Sequence, residues 1–309
     1  MIGNYIESIE RGADTIVITG SCGPCRFGFY GLMQEDILRG LGYDVDIIVI
    51  DALREGHRDF IKNVRKVTKA NNIFDIYRSA KLALKLIKRA DNLTQKFNYT
   101  RAYAVDKDKV NGIMDDYLDK AVKVHGASEL IELIDKTEGI LSAVKLHKDY
   151  DPIKIGIIGE IYTIIEPFAN FEVERRLGEL GVLVEKSLTP TRWLEQHVIN
   201  YPFGSKDENL KYKLAKPYLE TAVGGHGRET IGSAIHYKNR GYDGAIQILP
   251  LNCMPEIVAK SILKNVSRDL DFPIMTLVVD EMTGEAGYVT RLEAFVDLVS
   301  KRREKRSIG

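Results

Sequence analysis

The chain has 309 residues, of which 44% are hydrophobic, and its 44 Lys and Arg are balanced by 44 Asp and Glu, so its formal net charge is zero. This composition excludes a disordered or fibrous protein and indicates no basic surface for nucleic acid or anionic membranes. No apolar run is long enough to cross a bilayer, and the polar, acidic N-terminus is unlike a signal peptide. We therefore expect a cytoplasmic protein without nucleic-acid or membrane partners.

The first predicted structure is a β-α-β unit over residues 14–51. The run "ADTIVITG" predicts a strand, "FYGLMQEDILRGLGY" has apolar residues at helical spacing, and "DVDIIVID" predicts a second strand. That second strand is apolar at consecutive positions, which is typical of a strand buried on both faces of a parallel sheet. The motif "SCGPCRFG" lies in the turn between the first strand and the helix.

Residues 56–150 differ in composition from the segments on either side. They contain no proline, and Lys, Glu, Asp and Leu recur at helical spacing. The block is too long for an ordinary connection between strands, so we predict an insertion of several helices.

Residues 151–309 again alternate between strands and helices. Strands are predicted at "IKIGIIGE", "VLVEKSL", "GAIQILPLNC" and "FPIMTLVVDE", with helices at "FEVERRLGELG", "PEIVAKSIL" and "RLEAFVDLVSKR". Such alternation predicts the α/β class with doubly wound parallel sheets. We therefore divide the chain into a first α/β unit (1–55), a helical insertion (56–150) and a second α/β domain (151–309).

The chain has three cysteines, Cys22, Cys25 and Cys253. Each follows a predicted strand and precedes a helix, and ligands of open α/β sheets bind at such turns. If the two α/β units face each other, the three thiols converge in the cleft between them. The helix N-termini that follow would stabilise thiolates.

Four interpretations of these cysteines stay open. A thioredoxin-like dithiol needs only Cys22 and Cys25, but Ser21 stands where that family usually has tryptophan. Structural zinc needs four protein ligands, and only the distant His226 and His236 could complete the set. Cys253 could also be an ordinary small buried residue. The fourth interpretation is a [4Fe–4S] cluster held by three cysteines, which leaves one iron open to water or substrate.

Three segments resemble the 2-hydroxyacyl-CoA dehydratase/benzoyl-CoA reductase superfamily: "GSCGPCRFGFYGLMQEDILRGLGYDVDIIVID", "LPLNCMPEIVAKSIL" and "FPIMTLVVDEMTGEAGYVTRLEAFVDLV". More narrowly, they resemble its activase-associated, CoA-dehydratase-like branch, to which the double-cubane-cluster proteins are related. The resemblance covers residues 1–51 and 152–304. CGPC alone is a weak signal, whereas its combination with "CMPE" and "DEMTGEAG" is specific.

The resemblance implies two Rossmann-like domains with an iron–sulfur cluster between them, ligated here by Cys22, Cys25 and Cys253. It also implies a partner, an ATP-hydrolysing activator of the actin/Hsp70-like fold that reduces the cluster at low potential. A homodimer is expected on the same ground. The chain lacks the additional cysteines of proteins that hold two fused cubanes in one subunit, so a linked double-cubane cluster would have to be shared across a dimer.

Further candidate residues follow the strands of the second domain. Glu160 and Tyr162 come after "IKIGIIG" and could serve as acid or base and as proton donor. Glu281 lies in "VVDEMTGEAG", a loop that could orient substrate or bind the activator. For Glu160, helix capping is an equal alternative, and the loop with Asp280, Thr283 and Glu285 could simply cap the last helix.

Four other residues have structural alternatives of their own. Asn170 could cap the helix that begins "FEVERRL". The segment "VGGHGRET" lacks the ending of a Walker loop, so a helix start containing His226 is favoured over a phosphate loop. Arg26 could offset the negative charge of a cluster, or form a surface ion pair. Trp193 is interpreted as a packing residue.

The cysteines and the resemblance together imply an iron–sulfur enzyme that carries out a low-potential reduction or reductive dehydration of a small substrate, driven by the ATPase activator. The alternatives are a non-catalytic electron carrier or regulatory partner that bears a cluster, and a CGPC dithiol oxidoreductase. Loss of Cys253 separates the last of these, because a dithiol enzyme does not need that residue.

Overall fold

The computed structural model describes residues 1–20, 26–50, 57–68, 72–199 and 205–308. The chain divides into two compact units, one of Met1–Ala80 with Val223–Gly225 and the other of Lys81–Ala222 with His226–Gly309. Within the described ranges, no helix is both long enough and apolar enough to cross a membrane.

The first unit contains the predicted β-α-β arrangement. Its two strands pair in parallel, with Val17 opposite Ile48. Ile16, Leu38 and Val45 form its buried core. Its elements in chain order are α1 (Ile2–Glu10), β1 (Thr15–Thr19), a 3-10 turn (Arg26–Phe29), α2 (Tyr30–Gly40), β2 (Asp46–Ile50), α3 (His57–Thr68) and the start of α4 (Ile73–Tyr103).

The predicted helical block consists of α3 and α4, together with α5 (Lys107–Ala121) and α6 (Ala127–Ser142). Helices α4, α5 and α6 share a core of fully buried apolar side chains, including Leu93, Phe97, Val110, Ile134 and Leu141.

The second unit has a four-stranded parallel sheet in the order β4-β3-β5-β6. Its strands are β3 (Lys154–Gly159), β4 (Leu183–Lys186), β5 (Gly244–Pro250) and β6 (Ile274–Val279). All four lie within the strands predicted from the apolar runs. Burial on both faces explains the near-continuous apolar sequences of β3 and β5.

Helices cover both faces of this sheet. Ile155 and Ile157 pack with α8 (Val173–Glu179) and α13 (Glu285–Ile308) on one face, whereas Ile158 and Ala245 pack with α11 (Gly227–Asn239) and α12 (Met254–Asp269) on the other. Successive side chains of a strand point to opposite faces, so β3 alone contributes to both layers. The helices of this unit are α7 (Ile161–Ile165), α8 (Val173–Glu179), α9 (Pro190–Leu194) with a π-helical continuation (Glu195–Ile199), α10 (Lys206–Ala215), α11 (Gly227–Asn239), α12 (Met254–Asp269) and α13 (Glu285–Ile308).

Helices α4 and α5 pack on α8 through a buried arginine. The Arg101 side chain is fully buried, and its Nε donates to Asn111 Oδ1 at 2.8 Å. Asn111 Nδ2 in turn donates to Glu179 Oε1 at 2.8 Å. Gly178 lies against the Arg101 side chain, so that a Cβ there would be 2.6 Å from Arg101 Cδ. A glycine is therefore needed where the arginine crosses α8.

The structure confirms the α/β class with parallel strands in two sheets. In the described residues the first sheet has two strands and the second has four.

Candidate functional site at the carboxyl edge of the second sheet

The order of the second sheet defines a place for a ligand. From β3 the chain moves outward to β4 on one side, and from β5 it moves outward to β6 on the other. In open α/β sheets the crevice outside the carboxyl ends of the strands, at such a switch point, is where ligands bind. Glu160 follows β3 and Cys253 follows β5, so both predicted residues lie at this crevice.

Cys253 occupies the N-cap position of α12 and is half-buried. Its backbone N–H donates to Pro250 O at 3.1 Å, and Asn252 before it has a left-handed φ of 65°. The turn therefore places the thiol at the positive end of a 16-residue helix. Such a position favours a thiolate, the form that binds metals.

Cys22 and Cys25 lie outside the described residues, just beyond the end of β1 at Thr19. One of the three predicted sulfur ligands is thus described, and its helix N-terminal position fits a thiolate ligand of an iron–sulfur cluster. No group of three or more His, Cys, Asp or Glu that could hold a metal ion occurs among the residues that the structure describes. The prediction of a three-cysteine site stays a prediction.

Glu160 is a helix cap. Its two carboxylate oxygens accept hydrogen bonds from the backbone N–H groups of Tyr162 at 3.1 Å and Thr163 at 3.0 Å. The capping alternative raised from the sequence is therefore what the structure shows, and a catalytic role for Glu160 stays a prediction. Tyr162, beside it, is 59% exposed, so its hydroxyl lies on the surface.

The loop after β6 is organised by Asp280. Its carboxylate accepts from the backbone N–H of Met282 at 3.0 Å and from the Thr283 hydroxyl at 2.8 Å. Glu285 forms an ion pair with Arg176 of α8. Glu281 is exposed at the carboxyl edge, and its proposed contact with substrate is untested.

Two other residues have structural roles. Asn170 is buried, donates to the Thr163 and Ile164 carbonyls and accepts from the Val173 backbone N–H at 3.2 Å, so it caps α8 as one alternative anticipated. His226 is the N-cap residue of α11, so "VGGHGRET" contains the start of a helix as predicted, and a phosphate-binding role of this segment is untested.

The structure gives the positions of the remaining two candidate residues, and their functions stay untested. Trp193 lies half-buried in α9. Arg26 begins the 3-10 turn that leads into α2.

A buried polar network was not foreseen from the sequence. Glu256, in the first turn of α12, accepts from the Thr230 hydroxyl at 2.7 Å and from Gln247 Nε2 at 2.8 Å. Gln247 Oε1 accepts from the Thr276 hydroxyl at 3.0 Å. Burial raises the pKa of Glu256 to about 7, and its hydrogen bonds to Gln247 and Thr230 oppose this increase. The only sequence signal was a glutamate one helical turn after Cys253.

Glu229 lies beside this network, in the first turn of α11. Its carboxyl group is buried, and neither oxygen has a hydrogen-bond donor among the residues that the structure describes. Burial raises its pKa to about 8; the nearby Lys211 lowers the pKa, whereas the carboxylates around it raise it. Lys211, itself buried, pairs with Asp207 Oδ2 at 2.7 Å and donates to Ser187 O at 3.2 Å, just beyond β4.

A cleft of about 580 Å³ lies elsewhere in the second unit. Its walls include Lys107, Tyr150 and Glu179. The Tyr150 hydroxyl donates to Gly181 O, just ahead of β4, so the cleft belongs to the amino edge of the sheet. That is the edge opposite the crevice where parallel sheets bind ligands.

No protein-family model matches the chain, and no curated protein matches it.

Proposed function

We propose that the protein binds a [4Fe–4S] cluster through Cys22, Cys25 and Cys253 and carries out a low-potential reduction or reductive dehydration of a small substrate in the cytoplasm. The observation that carries the proposal is the position of Cys253, which lies at the switch point of a parallel sheet and at the N-terminus of a long helix. The resemblance to the 2-hydroxyacyl-CoA dehydratase/benzoyl-CoA reductase superfamily supplies the reaction class.

A bound cluster would supply low-potential electrons and one Lewis-acid position not held by cysteine. The protein's own side chains and backbone groups have separate proposed roles at the carboxyl edge of the second sheet. Backbone N–H groups of α12 stabilise negative charge on the Cys253 sulfur. Tyr162 and Glu281, both exposed here, are proposed to move protons to and from the substrate, and Glu160, fixed by its two hydrogen bonds, is proposed to position it.

We also propose that the chain contains two Rossmann-like, doubly wound domains joined by the helical insertion. The second sheet supports this, because its helices cover both faces and its strand order reverses between β3 and β5. The parallel β1–β2 pair with α2 between its strands is the corresponding start of such a domain.

Exposed apolar side chains support the proposed protein partners, an ATP-hydrolysing activator and a second copy of the chain. In the first unit Phe29 and Leu32, soon after the cysteine pair, are 71% and 63% exposed. In the second unit Leu251 and Met254, on either side of Cys253, are 53% and 41% exposed. Each pair lies near a predicted cysteine ligand in the sequence, as expected of a surface that another protein covers.

The test is the iron and acid-labile sulfide content of the protein purified without oxygen, with its absorption and electron paramagnetic resonance spectra. We expect about four irons and four sulfides per chain, as in a single [4Fe–4S] cluster. Cys253→Ala should lose this iron. Met254→Ala, which changes an exposed neighbour and leaves all three cysteines, should retain it.

Other results would point to other functions. More than four irons per chain would indicate a linked double-cubane cluster across a dimer. Bound zinc, or a redox-active Cys22–Cys25 pair that still works in Cys253→Ala, would replace the proposal with a zinc site or a dithiol oxidoreductase. A cluster without any substrate-dependent oxidation would favour an electron carrier.

A further inference from the structure

The outer face of α4 is basic, although the whole chain has no net charge. Between residues 81 and 103, α4 has six basic residues and one acidic residue. Lys81, Lys85 and Lys88 are exposed, and none of them forms an ion pair with a residue that the structure describes. The next residue, Arg89, pairs instead with carboxylates of α6. The three lysines therefore carry positive charge that their described surroundings do not balance.

These lysines begin a continuous exposed face of α4 in the second unit, which we call the basic stripe. At spacings of three and four residues, its members are Lys81, Lys85, Lys88, Asn92, Gln95 and Tyr99, all of them exposed. The stripe is about 27 Å long, because a helix rises about 1.5 Å per residue. The opposite face of α4, with Leu93 and Phe97, is buried in the core shared with α5 and α6. The stripe thus presents cations, amides and one aromatic ring to a partner, and no carboxylate.

Tyr99 provides an aromatic surface at the end of the basic stripe. It is 48% exposed, and its ring centroid lies 4.6 Å from that of Tyr103. Tyr103 in turn contacts Tyr150 edge to face, with centroids 6.3 Å apart. Packing on Tyr103 holds the Tyr99 ring in place, so its exposed surface is ready to stack on a planar group.

The row of tyrosines connects the basic stripe to the cleft of about 580 Å³, which Tyr150 lines. This volume is typical of sites for small molecules. Its polar walls differ from the stripe, because they include the carboxylates of Asp106, Asp108 and Glu179 beside Lys107. Carboxylates repel phosphate, but they accept hydrogen bonds from the exocyclic amino group of a base such as cytosine. The cleft therefore suits a base, whereas the stripe suits phosphates.

Other partners fit this surface less well. A helix that lies on a membrane needs an exposed apolar face, and the apolar face of α4 is buried against α5 and α6. A helix of another protein would meet no apolar side chain on the stripe from Lys81 to Gln95, and the centres of protein interfaces are depleted in lysine. Spaced cations followed by an exposed aromatic ring are instead typical of sites for single-stranded nucleic acid.

We propose that the basic stripe and the adjoining cleft bind single-stranded nucleic acid. Phosphates contact Lys81, Lys85 and Lys88, one base stacks on Tyr99, and a neighbouring base enters the cleft beside Tyr150. The balanced composition predicts no nucleic-acid partner, but charges are screened beyond about 8 Å at physiological salt, so a local group of cations attracts phosphate whatever the distant acids are. This binding goes beyond the proposed iron–sulfur chemistry and needs no cluster.

The first test is fluorescence anisotropy of a labelled DNA strand of about 20 nucleotides with the full-length protein. We expect the triple substitution Lys81→Gln, Lys85→Gln and Lys88→Gln to weaken binding at least about tenfold at low salt. It should also reduce the slope of log K against log salt by about 2, because each phosphate contact to a single strand contributes about 0.7. Glutamine is a good helix former, so α4 is expected to stay folded, and circular dichroism checks this.

The matched control removes the same charge from exposed lysines elsewhere in the second unit, by Lys123→Gln, Lys264→Gln and Lys305→Gln. This variant should bind the strand within about twofold of the wild type, since these lysines lie outside the basic stripe. Equal weakening by the two triple variants would show that only net charge matters, and it would overturn the inference.

The second test separates stacking from charge. Tyr99→Leu keeps an apolar side chain but removes the ring, and should weaken binding of the strand by about fivefold or more. Its salt dependence should stay that of the wild type, because no charge is lost. A duplex of the same sequence should bind more weakly, since its paired bases are not free to stack on Tyr99 or to enter the cleft.

Several results would overturn the inference: no binding of the strand by the wild type at low salt, equally tight binding of the duplex with no effect of Tyr99→Leu, or equally tight binding of polyglutamate or of vesicles with anionic lipid. The iron content decides a separate question. Protein without iron that binds the strand as expected would contradict the proposed function and support the nucleic-acid site, whereas iron-loaded protein that binds no strand would do the reverse.

Discussion

At the scale of single residues, buried carboxyl groups make the folding stability of this protein depend on pH. Glu229 and Glu256 are buried in the second unit, and burial raises their pKa values from 4.5 to about 8 and about 7. Because their folded-state pKa values lie above the unfolded values, both groups favour folding most when they are protonated in both states. They differ in their surroundings, since in the described part of the chain Glu256 has two hydrogen-bond donors and Glu229 has none.

We predict that the free energy of unfolding decreases as pH rises from about 4.5 to about 8. Below this pH range, both carboxyl groups are protonated in the folded and in the unfolded state, so their full contribution to stability is present. Within it the unfolded chain releases protons that the folded protein keeps, and each unit of pKa shift corresponds to about 1.36 kcal/mol. Above pH 8 the folded protein also releases them and the decline ends. Urea unfolding between pH 5 and pH 9 measures this.

Glu229→Gln should flatten this pH dependence by a few kcal/mol across the window, since a neutral amide does not titrate. Glu220→Gln should reproduce the wild-type dependence. If Glu229→Gln and the wild type lose stability in parallel, Glu229 does not hold a proton in the folded state.

At the scale of elements, the contact between α10 and α11 determines the environment of Glu229. The two helices approach closely at Gly232, where a Cβ would be only 2.0 Å from the backbone carbonyl oxygen of Lys211. Both sides of this contact are backbone, so no flexible side chain can move to make room for a Cβ. This close approach holds the charged face of α10 against the first turns of α11.

We predict that Gly232→Ala destabilises the protein by about 1–3 kcal/mol, the usual effect of overpacking a tight interface. Gly139→Ala is the matched control, because Gly139 also lies within a helix, α6, but no other described residue beyond its own turn of helix has an atom within 4 Å of the added methyl group. That control should stabilise the protein by up to about 1 kcal/mol through lower entropy of the unfolded chain. Denaturant midpoints measure both, and equal effects of the two substitutions would contradict the packing argument.

The whole molecule carries equal numbers of acidic and basic residues, and its isoelectric point is about 7.0. Long-range repulsion between molecules is therefore weakest at neutral pH. Apolar side chains such as Phe29 and Met254 are exposed and favour association where this repulsion is weak.

We predict that solubility is lowest near pH 7 and rises toward pH 5 and pH 9, because net charge away from zero opposes association. Precipitation by polyethylene glycol across this range measures it. A solubility minimum far from neutral pH would show that apolar contacts, rather than net charge, dominate association.

Much of the fold was predictable because the relevant signals are local. Each strand of the second sheet lies within a run of apolar residues, and α12 begins near a proline, as predicted. The capping roles of Glu160 and Asn170 were anticipated only as alternatives, since a polar residue after a strand can either cap a helix or face a ligand. Choosing between them requires the positions of the backbone N–H groups.

The amino-acid sequence by itself determined the alternation of strands and helices, the parallel α/β class and the placement of Cys253 between a strand and a helix. These depend on apolar periodicity and on turn residues, which act over a few positions. Only the tertiary structure decided that β5 pairs with β3, which puts Cys253 and Glu160 at one crevice, and that Glu229 is buried with no donor from the described ranges. Both follow from contacts between segments far apart in the chain, where burial and charge depend on the packed neighbours rather than on the local sequence.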